Sequence, residues 1–246
     1  LCPGYMQFWW FIILWLSKAF SFRALDYLEN PVRMITFDTD NNIIIKGAIN
    51  KKLVTDVLHQ LHKTTQDHLF LYIDTPGGSV EHGNKIVGAI LQRNVSCIVE
   101  RAYSMGFVIL QACTQRYILP FGSIMQHQMS FMLAGEKLKV EHQLDHIQQM
   151  ERFLVKIQAE RIGMSERRFR DKTSNEWWLY GQNAIHHNCI DGIVNANCSK
   201  RLTLQNYTIT QGNSDYIYSK CPLIPGEVKI KKRRNSDDEH YIRFPF

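Results

Sequence analysis

The amino-acid sequence predicts an α/β fold in which short apolar strands alternate with amphipathic helices. Three observations lead to this prediction. Short aliphatic runs are bounded by turn-forming residues, the segments between several runs carry apolar residues at helical spacing, and one long charged segment has a single apolar stripe. The continuous apolarity of residues 69–73 suits a strand buried on both faces, as in a parallel sheet.

The first strand–helix–strand unit lies within residues 43–73. Three isoleucines at 43–45 open the first strand, and residues 69–73 form the second. The segment between them predicts a helix because its apolar residues fall on one face. These residues are Leu53, Val54, Val57, Leu58 and Leu61.

The same unit then repeats along the chain. Glycines at 77 and 78 break the chain, and a second helix precedes a strand at 95–99. That helix turns Ile86, Val87, Ile90 and Leu91 inward. Residues 104–106 open a short apolar helix, and two further strands follow: one at 116–119, ended by Pro120, and one at 124–126, just before His127. The prediction is a spiral of strand–helix repeats.

A long helix is predicted over residues 138–161, where one apolar stripe runs along a charged cylinder. We expect it to project from the core. Residues 196–246 lose the periodicity and gain polar residues and charge, which predicts a loosely packed extension with a disordered end. The expected domain division is therefore 1–21, 22–42, 43–195 and 196–246, with the folded domain at 43–195.

Composition limits the classes of function. The chain has 246 residues, of which 45% are apolar, so it can bury a full core. The formal net charge of +6 comes mostly from a short basic run near the C-terminus. That run consists of Lys229, Lys231, Lys232, Arg233 and Arg234. Acidic residues follow it, so a solvated tail is favoured over a nucleic-acid partner.

The N-terminal segment is predicted to be a targeting segment. The apolar run at residues 8–16 is far shorter than the roughly 20 residues that span a bilayer as a helix. Ala19 and Ser21 have the spacing of a signal-peptide cleavage site, although a basic n-region is missing. Residues 1–21 therefore indicate a secretory route or an organelle lumen, and the alternative is a buried N-terminal segment in a cytoplasmic protein.

The six cysteines do not have the spacing of a metal site. Cys97, Cys113 and Cys189 lie in apolar runs and are predicted to be small core residues. Cys198 and Cys221 lie in the polar C-terminal region and could pair as a disulfide in an oxidising compartment. We expect neither a metal nor another cofactor.

Three motifs indicate catalysis when they are taken together. Residues 74–79 read Asp-Thr-Pro-Gly-Gly-Ser after a strand, residues 102–106 read Ala-Tyr-Ser-Met-Gly at a strand-to-helix turn, and residues 125–128 read Met-Gln-His-Gln. Their order and spacing resemble the Clp protease proteolytic subunit family of the ClpP/crotonase superfamily. The resemblance extends from about residue 43 to residue 194 and includes the long helix, which in that family forms a handle.

The resemblance implies a serine endopeptidase. Ser104 corresponds to the nucleophile and His127 to its base, since a serine hydroxyl is a poor nucleophile until an imidazole accepts its proton. The family's oxyanion donors are two backbone N–H groups, which correspond to those of Gly78 and Met105. Either Ser104 or His127 alone would be an ordinary turn serine or core histidine, and only their joint occurrence with the glycine turn favours catalysis.

The third triad member departs from the family pattern. The family uses an aspartate after the long helix, and the register of residues 184–191 puts Glu176 at that position. Asp171 is the alternative on local sequence. Further departures are Tyr103 before the serine, Gln126 beside the histidine, and Asn188 where the family has glycine. They suggest a divergent member.

Several functions stay open at the level of sequence. The first is hydrolysis of peptides or unfolded proteins in a homo-oligomeric ring, with an ATP-dependent unfoldase as a possible partner. The second is a catalytically weak or inactive subunit that acts as a scaffold in a mixed oligomer. A crotonase-like acyl-CoA enzyme would need no serine–histidine pair, and a signal-peptide-peptidase relative would need a lysine that no matching motif supplies.

Overall fold

The computed structural model describes residues 33–232. The predicted targeting segment at 1–21, most of the predicted extension at 22–42 and the tail after Lys232 lie outside the described residues. Within 33–232, the helices are too short or too polar to cross a membrane.

The described residues form ten strands and seven helices. The strands are β1 (Arg33–Phe37), β2 (Asn42–Lys46), β3 (His68–Thr75), β4 (Asn94–Tyr103), β5 (Gln115–Gln126), β6 (Trp177–Tyr180), β7 (Gly192–Cys198), β8 (Asn206–Gln211), β9 (Ser214–Ser219) and β10 (Glu227–Lys232). The helices are α1 (Lys51–Lys63), α2 (Val80–Ile90), α3 (Met105–Gln111), α4 (Lys137–Ile162), α5 (Glu166–Thr173), α6 (Gly181–His186) and α7 (Lys200–Thr203).

A mostly parallel sheet forms the centre of the fold. Its strand order is β1-β7-β5-β4-β3-β2, and β6 also pairs with β5. The pairs β2–β3, β3–β4, β4–β5 and β5–β7 are parallel, and β6 is antiparallel to β5. The predicted α/β class is confirmed. Because β3, β4 and β5 are adjacent and parallel, the loops after them meet at one edge of the sheet.

Both faces of the sheet are covered, as the apolar run at 69–73 predicted. Leu69, Leu71 and Ile73 belong to the larger core cluster, which includes residues of α1 to α5. The intervening Phe70 and Tyr72 contact Phe37 edge to face on the other side, where β1 and α7 supply the cover. Alternate residues of one strand therefore enter two separate apolar clusters.

Strand β5 corrects one prediction. We predicted two strands separated by Pro120, but one strand runs from Gln115 to Gln126. Its register against β4 shifts, with Ile118 opposite Val99 and Ser123 opposite Arg101. Residues 119–122 therefore bulge past a single residue of β4, and Pro120, which has no N–H to donate, lies within this bulge.

Helix α4 confirms the predicted long helix. Its 26 residues correspond to about 39 Å of length. The helix ends at Gly163, whose φ of 70° is the left-handed conformation that glycine adopts readily. The buried residues all lie in its last third, and they are Leu154, Val155, Gln158, Ala159 and Ile162. The first part of the helix is exposed, as expected for a projecting element.

Residues after 198 contain more order than the sequence predicted. Strands β8, β9 and β10 form a separate antiparallel sheet, and β8 and β10 are exposed along their whole lengths. Exposed strands bury too little apolar surface to leave a clear pattern in the sequence. The predicted Cys198–Cys221 pair is a disulfide.

A second disulfide was not predicted. Cys97 and Cys113 are buried, as expected of core residues, and they are also bonded to each other. Cys97 lies in β4, and Cys113 lies just before β5, the strand that pairs with β4. Cys189 is a buried free cysteine, and burial raises the pKa of its thiol to about 12.

An ion pair between a buried arginine and a partly exposed aspartate supports strand β5. Arg116 in β5 is 1% exposed and donates to Asp191 Oδ1 at 2.6 Å and to Gln111 Oε1 at 2.6 Å. Burial alone would raise the pKa of Asp191, but hydrogen bonds from Arg116 outweigh it and lower that pKa below its usual range. Asn188 adjoins this network with φ of 54°, a conformation that asparagine tolerates and glycine prefers. This explains why asparagine can occupy the position at which the Clp protease proteolytic subunit family, which the motifs resemble, has glycine.

Candidate active site

The glycine turn after β3 is fixed by close backbone contacts. Gly77 and Gly78 have φ values of 99° and 143°, which side-chain-bearing residues rarely adopt. A Cβ atom on Gly78 would lie 2.5 Å from the carbonyl oxygen of Ile49, and one on Gly77 would lie 2.8 Å from Ser104 Cβ. Both positions therefore require glycine, and the turn lies directly against the candidate nucleophile.

Ser104 occupies a strained turn between β4 and α3. Its φ of 54° and ψ of −116° are unfavourable for a residue with a side chain. The backbone is held in this conformation because the Ser104 N–H donates to Met125 O at 2.9 Å and the Ser104 carbonyl accepts from Phe107 N at 3.0 Å. The hydroxyl does not cap the helix. The turn thus presents Oγ without using it as a structural group.

Two backbone donors lie beside the serine. Met105 is the first residue of α3, so its N–H has no acceptor within the helix. Gly78 lies opposite Ile49 in an isolated parallel β-bridge. The hydrogen bonds of this bridge are made by the residues on either side of Gly78: Ile49 N donates to Gly77 O, and Ser79 N donates to Ile49 O. Among residues 33–232, no hydrogen bond uses the Gly78 N–H. Both donors are available to a ligand.

His127 follows directly after β5 and is half-buried. Its backbone N–H donates to Gln126 Oε1 at 3.1 Å. Gln128, the residue after the histidine, is also held in place. Its backbone N donates to Thr173 O at 2.9 Å, and its side-chain Nε2 donates to Ser174 O at 3.1 Å. The backbone around the histidine is therefore tied to helix α5 and the loop after it.

One cavity of about 320 Å³ brings the predicted residues together. Ser104, His127, Gly78 and Met105 all line it, and helices α4 and α5 form its far wall. Its apolar lining consists of Val80, Val108, Met129, Leu154, Val155 and Phe169 in addition to Met105. An ion pair of 3.3 Å between Arg170 Nη1 and Glu151 Oε1 joins the two helices beside it. The cavity can hold one apolar side chain next to the serine.

The two candidate acids differ in their relation to His127. In the β5–β6 register, Gln126 lies opposite Trp177, so the next pair along the two chains is His127 and Glu176. The exposed carboxylate of Glu176 accepts from Trp178 Nε1 at 2.9 Å. Asp171 lies on α5 and is exposed. Within the described part of the chain, no hydrogen bond joins the His127 ring to Ser104 or to either acid.

Two glutamines in this cavity were only partly anticipated. Gln126 stood out beside the histidine, and Gln158 lay near the apolar stripe of α4. Both are buried and bonded to each other, with Gln126 Nε2 donating to Gln158 Oε1. A polar residue within an apolar stripe was the signal that could have indicated Gln158. No group of three or more His, Cys, Asp and Glu residues within 33–232 could hold a metal ion.

Comparison with known proteins assigns the chain to a family. The family model described as Clp protease matches residues 32–197, which is more than half of the chain. The chain belongs to the Clp protease family. This confirms the resemblance predicted from the three motifs, and the matched residues include all the predicted site residues.

The Clp protease relatives are similar at modest identity, as expected of a divergent member. The chain is 27% identical over 160 residues to ATP-dependent Clp protease proteolytic subunit 2 of Pseudomonas aeruginosa, covering 62% of this chain and 80% of the relative. It is 28% identical over 170 residues to the ATP-dependent Clp protease proteolytic subunit of Streptococcus agalactiae, covering 64% of this chain and 86% of the relative. Residues after 197 lie outside the family match.

Proposed function

We propose that this Clp protease family member is a serine endopeptidase that cleaves peptides through an acyl-enzyme. Ser104 is the nucleophile, His127 is the general base and acid, and Glu176 orients the histidine. The backbone N–H groups of Gly78 and Met105 stabilise the oxyanion. The observation that carries the proposal is that Ser104, His127 and the residues of both donors line one cavity.

The proposed reaction has two halves. Ser104 Oγ attacks the peptide carbonyl carbon while the His127 imidazole takes its proton, and the carbonyl oxygen becomes an anion that accepts hydrogen bonds from Gly78 and Met105. The C–N bond then breaks, and the leaving amine takes the proton from His127. Water attacks the remaining ester in the same way, and the proton returns through His127 to Ser104 Oγ as the acid product leaves.

The geometry of the serine turn supports this mechanism. Ser104 has a φ of 54°, and its side chain makes no hydrogen bond to the described residues 33–232. Strain at such a residue is typical of functional sites, where its cost is of order 1–3 kcal/mol. Glu176 is preferred over Asp171 because the β5–β6 register continues to the His127–Glu176 pair. A rotation of the Glu176 side chain away from Trp178 would be needed for contact with the histidine.

Hydrolysis of casein and of short fluorogenic peptides tests the proposal. The purified chain should hydrolyse at least one of these substrates, and Ser104→Ala should remove that activity while it retains the melting temperature of the wild type. His127→Ala should have a comparable effect, because residues of one catalytic unit act together. The proposal fails if Ser104→Ala hydrolyses these substrates as fast as the wild type.

A specific observation also favours a second candidate, a scaffold subunit that is catalytically inactive. Within residues 33–232, no hydrogen bond links the histidine ring to the serine or to an acid, and the Glu176 carboxylate is bonded to Trp178. A subunit of this kind would keep the fold and contribute only to assembly. Absence of hydrolysis in both the wild type and the Ser104→Ala variant would favour it.

We extend the proposal to assembly and substrate class. The relatives are named as proteolytic subunits of ATP-dependent proteases, and we infer that this chain forms a homo-oligomeric ring that degrades unfolded proteins delivered by an ATP-dependent unfoldase. Exposed apolar side chains on helix α4 support assembly, since Leu138 is 68% and Phe153 is 63% exposed.

A further inference from the structure

We propose that Gln126 and Gln158 are a positioning pair that fixes the backbone of His127 against helix α4. The inference deepens the proposed function and rests on it, because it concerns the placement of the general base. The two glutamines act through His127 and are not catalytic residues themselves.

The contacts form a continuous chain of hydrogen bonds. The His127 N–H donates to Gln126 Oε1 at 3.1 Å, and Gln126 Nε2 donates to Gln158 Oε1. Gln158 Nε2 in turn donates to the Leu154 carbonyl oxygen at 2.8 Å, within α4 itself. Three successive bonds thus connect the backbone of the base to the long helix.

Both glutamines in this series of hydrogen bonds are buried. Gln126 is 5% exposed and Gln158 is 2% exposed, so little of either side chain is open to water. A buried amide without a hydrogen bond is costly, whereas two apolar side chains would fill the same space without that cost. Because packing alone would favour apolar residues here, the hydrogen-bonding groups indicate a requirement beyond packing.

The requirement is the position of His127 relative to Ser104. On one side, the backbone after the histidine is held by the bond from Gln128 N to Thr173 O. On the other side, the side chain of Gln126 is the acceptor for the histidine N–H. Both glutamines also line the cavity that contains the serine. Loss of the Gln126 acceptor removes the hydrogen bond that holds the backbone N–H of the base.

Leucine substitutions separate positioning from packing. Gln126→Leu, Gln158→Leu and the double variant are compared for melting temperature and for kcat and KM on the same peptide. We expect Gln126→Leu to lower kcat by about tenfold or more, because small displacements of catalytic groups are costly, and to leave KM nearly unchanged. Gln158→Leu keeps the acceptor for His127 and should lower kcat less.

The double variant gives the decisive result. Two leucines restore a fully apolar contact, so the melting temperature should recover towards that of the wild type. The kcat should stay low, because the His127 N–H still lacks its acceptor. Gln60→Leu, on the exposed face of α1 and outside the cavity, is the control and should change neither quantity.

The outcomes distinguish this inference from the proposed function. Recovery of both melting temperature and kcat in the double variant would show that the glutamines serve packing alone and would overturn the inference. A wild-type kcat in Gln126→Leu, together with an inactive Ser104→Ala, would overturn it as well and leave the proposed function intact. Full activity in Ser104→Ala would instead remove the proposed function.

Discussion

The two halves of the candidate active site are held by different kinds of contact. The nucleophile half, comprising Gly77, Gly78, Ser104 and Met105, is held by backbone hydrogen bonds and by glycine contacts too close for any Cβ atom. The base–acid half comprises His127, directly after β5, and Glu176, directly before β6; it is held mainly through side chains, and the Glu176 carboxylate is exposed. The oxyanion requires fixed donors, whereas an orienting acid can differ in length, so a glutamate is tolerable at that position.

A substitution that displaces the backbone of the nucleophile half should cause a large loss of peptide hydrolysis. In Gly78→Ala, the new Cβ would lie 2.5 Å from the Ile49 carbonyl oxygen, so the turn must move and take its N–H with it. We expect peptide hydrolysis to fall by about 10²–10³-fold, the usual cost of one oxyanion donor. The measurement is kcat at saturating peptide.

Gly88→Ala is the matched control for this substitution. Gly88 lies in α2, and the space that an alanine Cβ atom would occupy there is open, so alanine should be tolerated. Circular dichroism establishes that both variants fold. Wild-type activity in Gly78→Ala would show that the glycine turn does not hold an oxyanion donor.

Strand β5, which ends directly before His127, carries the Arg116–Asp191 ion pair near its start. Asp191→Asn should lower the free energy of unfolding by about 3 kcal/mol at neutral pH, because it leaves a buried arginine without its counter-charge. The pKa of Asp191 is lowered in the folded state, so its contribution is full above the unfolded pKa and is lost as the pH falls through the folded pKa. The difference between wild type and variant should therefore shrink in acid.

Urea titrations at neutral pH and near pH 3 measure this effect. Asp56→Asn is the control, because Asp56 forms an exposed pair with Lys52 at 2.9 Å and should change stability by less than about 1 kcal/mol. Equal stability of Asp191→Asn and wild type at neutral pH would contradict the role given to the pair.

The acid itself should give the smallest of the three effects. In the proposed mechanism, Glu176→Gln removes the charge that orients and stabilises the histidine, so we expect kcat to fall by about ten- to a hundredfold, less than for a fully buried triad acid. Asp171→Asn is the comparison and should retain activity. The reverse pattern would assign the role to Asp171.

The parts of the fold with strong periodicity were predictable from the sequence. Alternating apolar runs and helical stripes predicted the strands β2 to β4 and the helices α1, α2 and α4, because buried faces impose a period on the sequence. The bulge of residues 119–122 was missed, since Pro120 indicates the end of a strand unless the neighbouring strand changes register. The exposed sheet β8–β10 was missed because it buries little.

The candidate site also contains some features that the sequence predicted and others that it did not. The glycine turn, Ser104 and His127 were predictable because each follows a buried strand, and adjacent parallel strands bring such ends together. The Cys97–Cys113 disulfide and the Gln126–Gln158 pair depend on contacts between distant segments, which local sequence does not encode. The role of Glu176 as the third member of the triad stays a prediction, because its side chain is not fixed by burial.

Covalent labelling of Ser104 tests the central claim most directly. A fluorophosphonate probe reacts with a serine only when a base activates it, and mass spectrometry of the digested protein identifies the labelled residue. We predict stoichiometric labelling at Ser104 in the wild type, much slower labelling in His127→Ala, and none at that position in Ser104→Ala. A folded wild-type chain that leaves Ser104 unlabelled, or labels it equally fast without His127, would contradict the account.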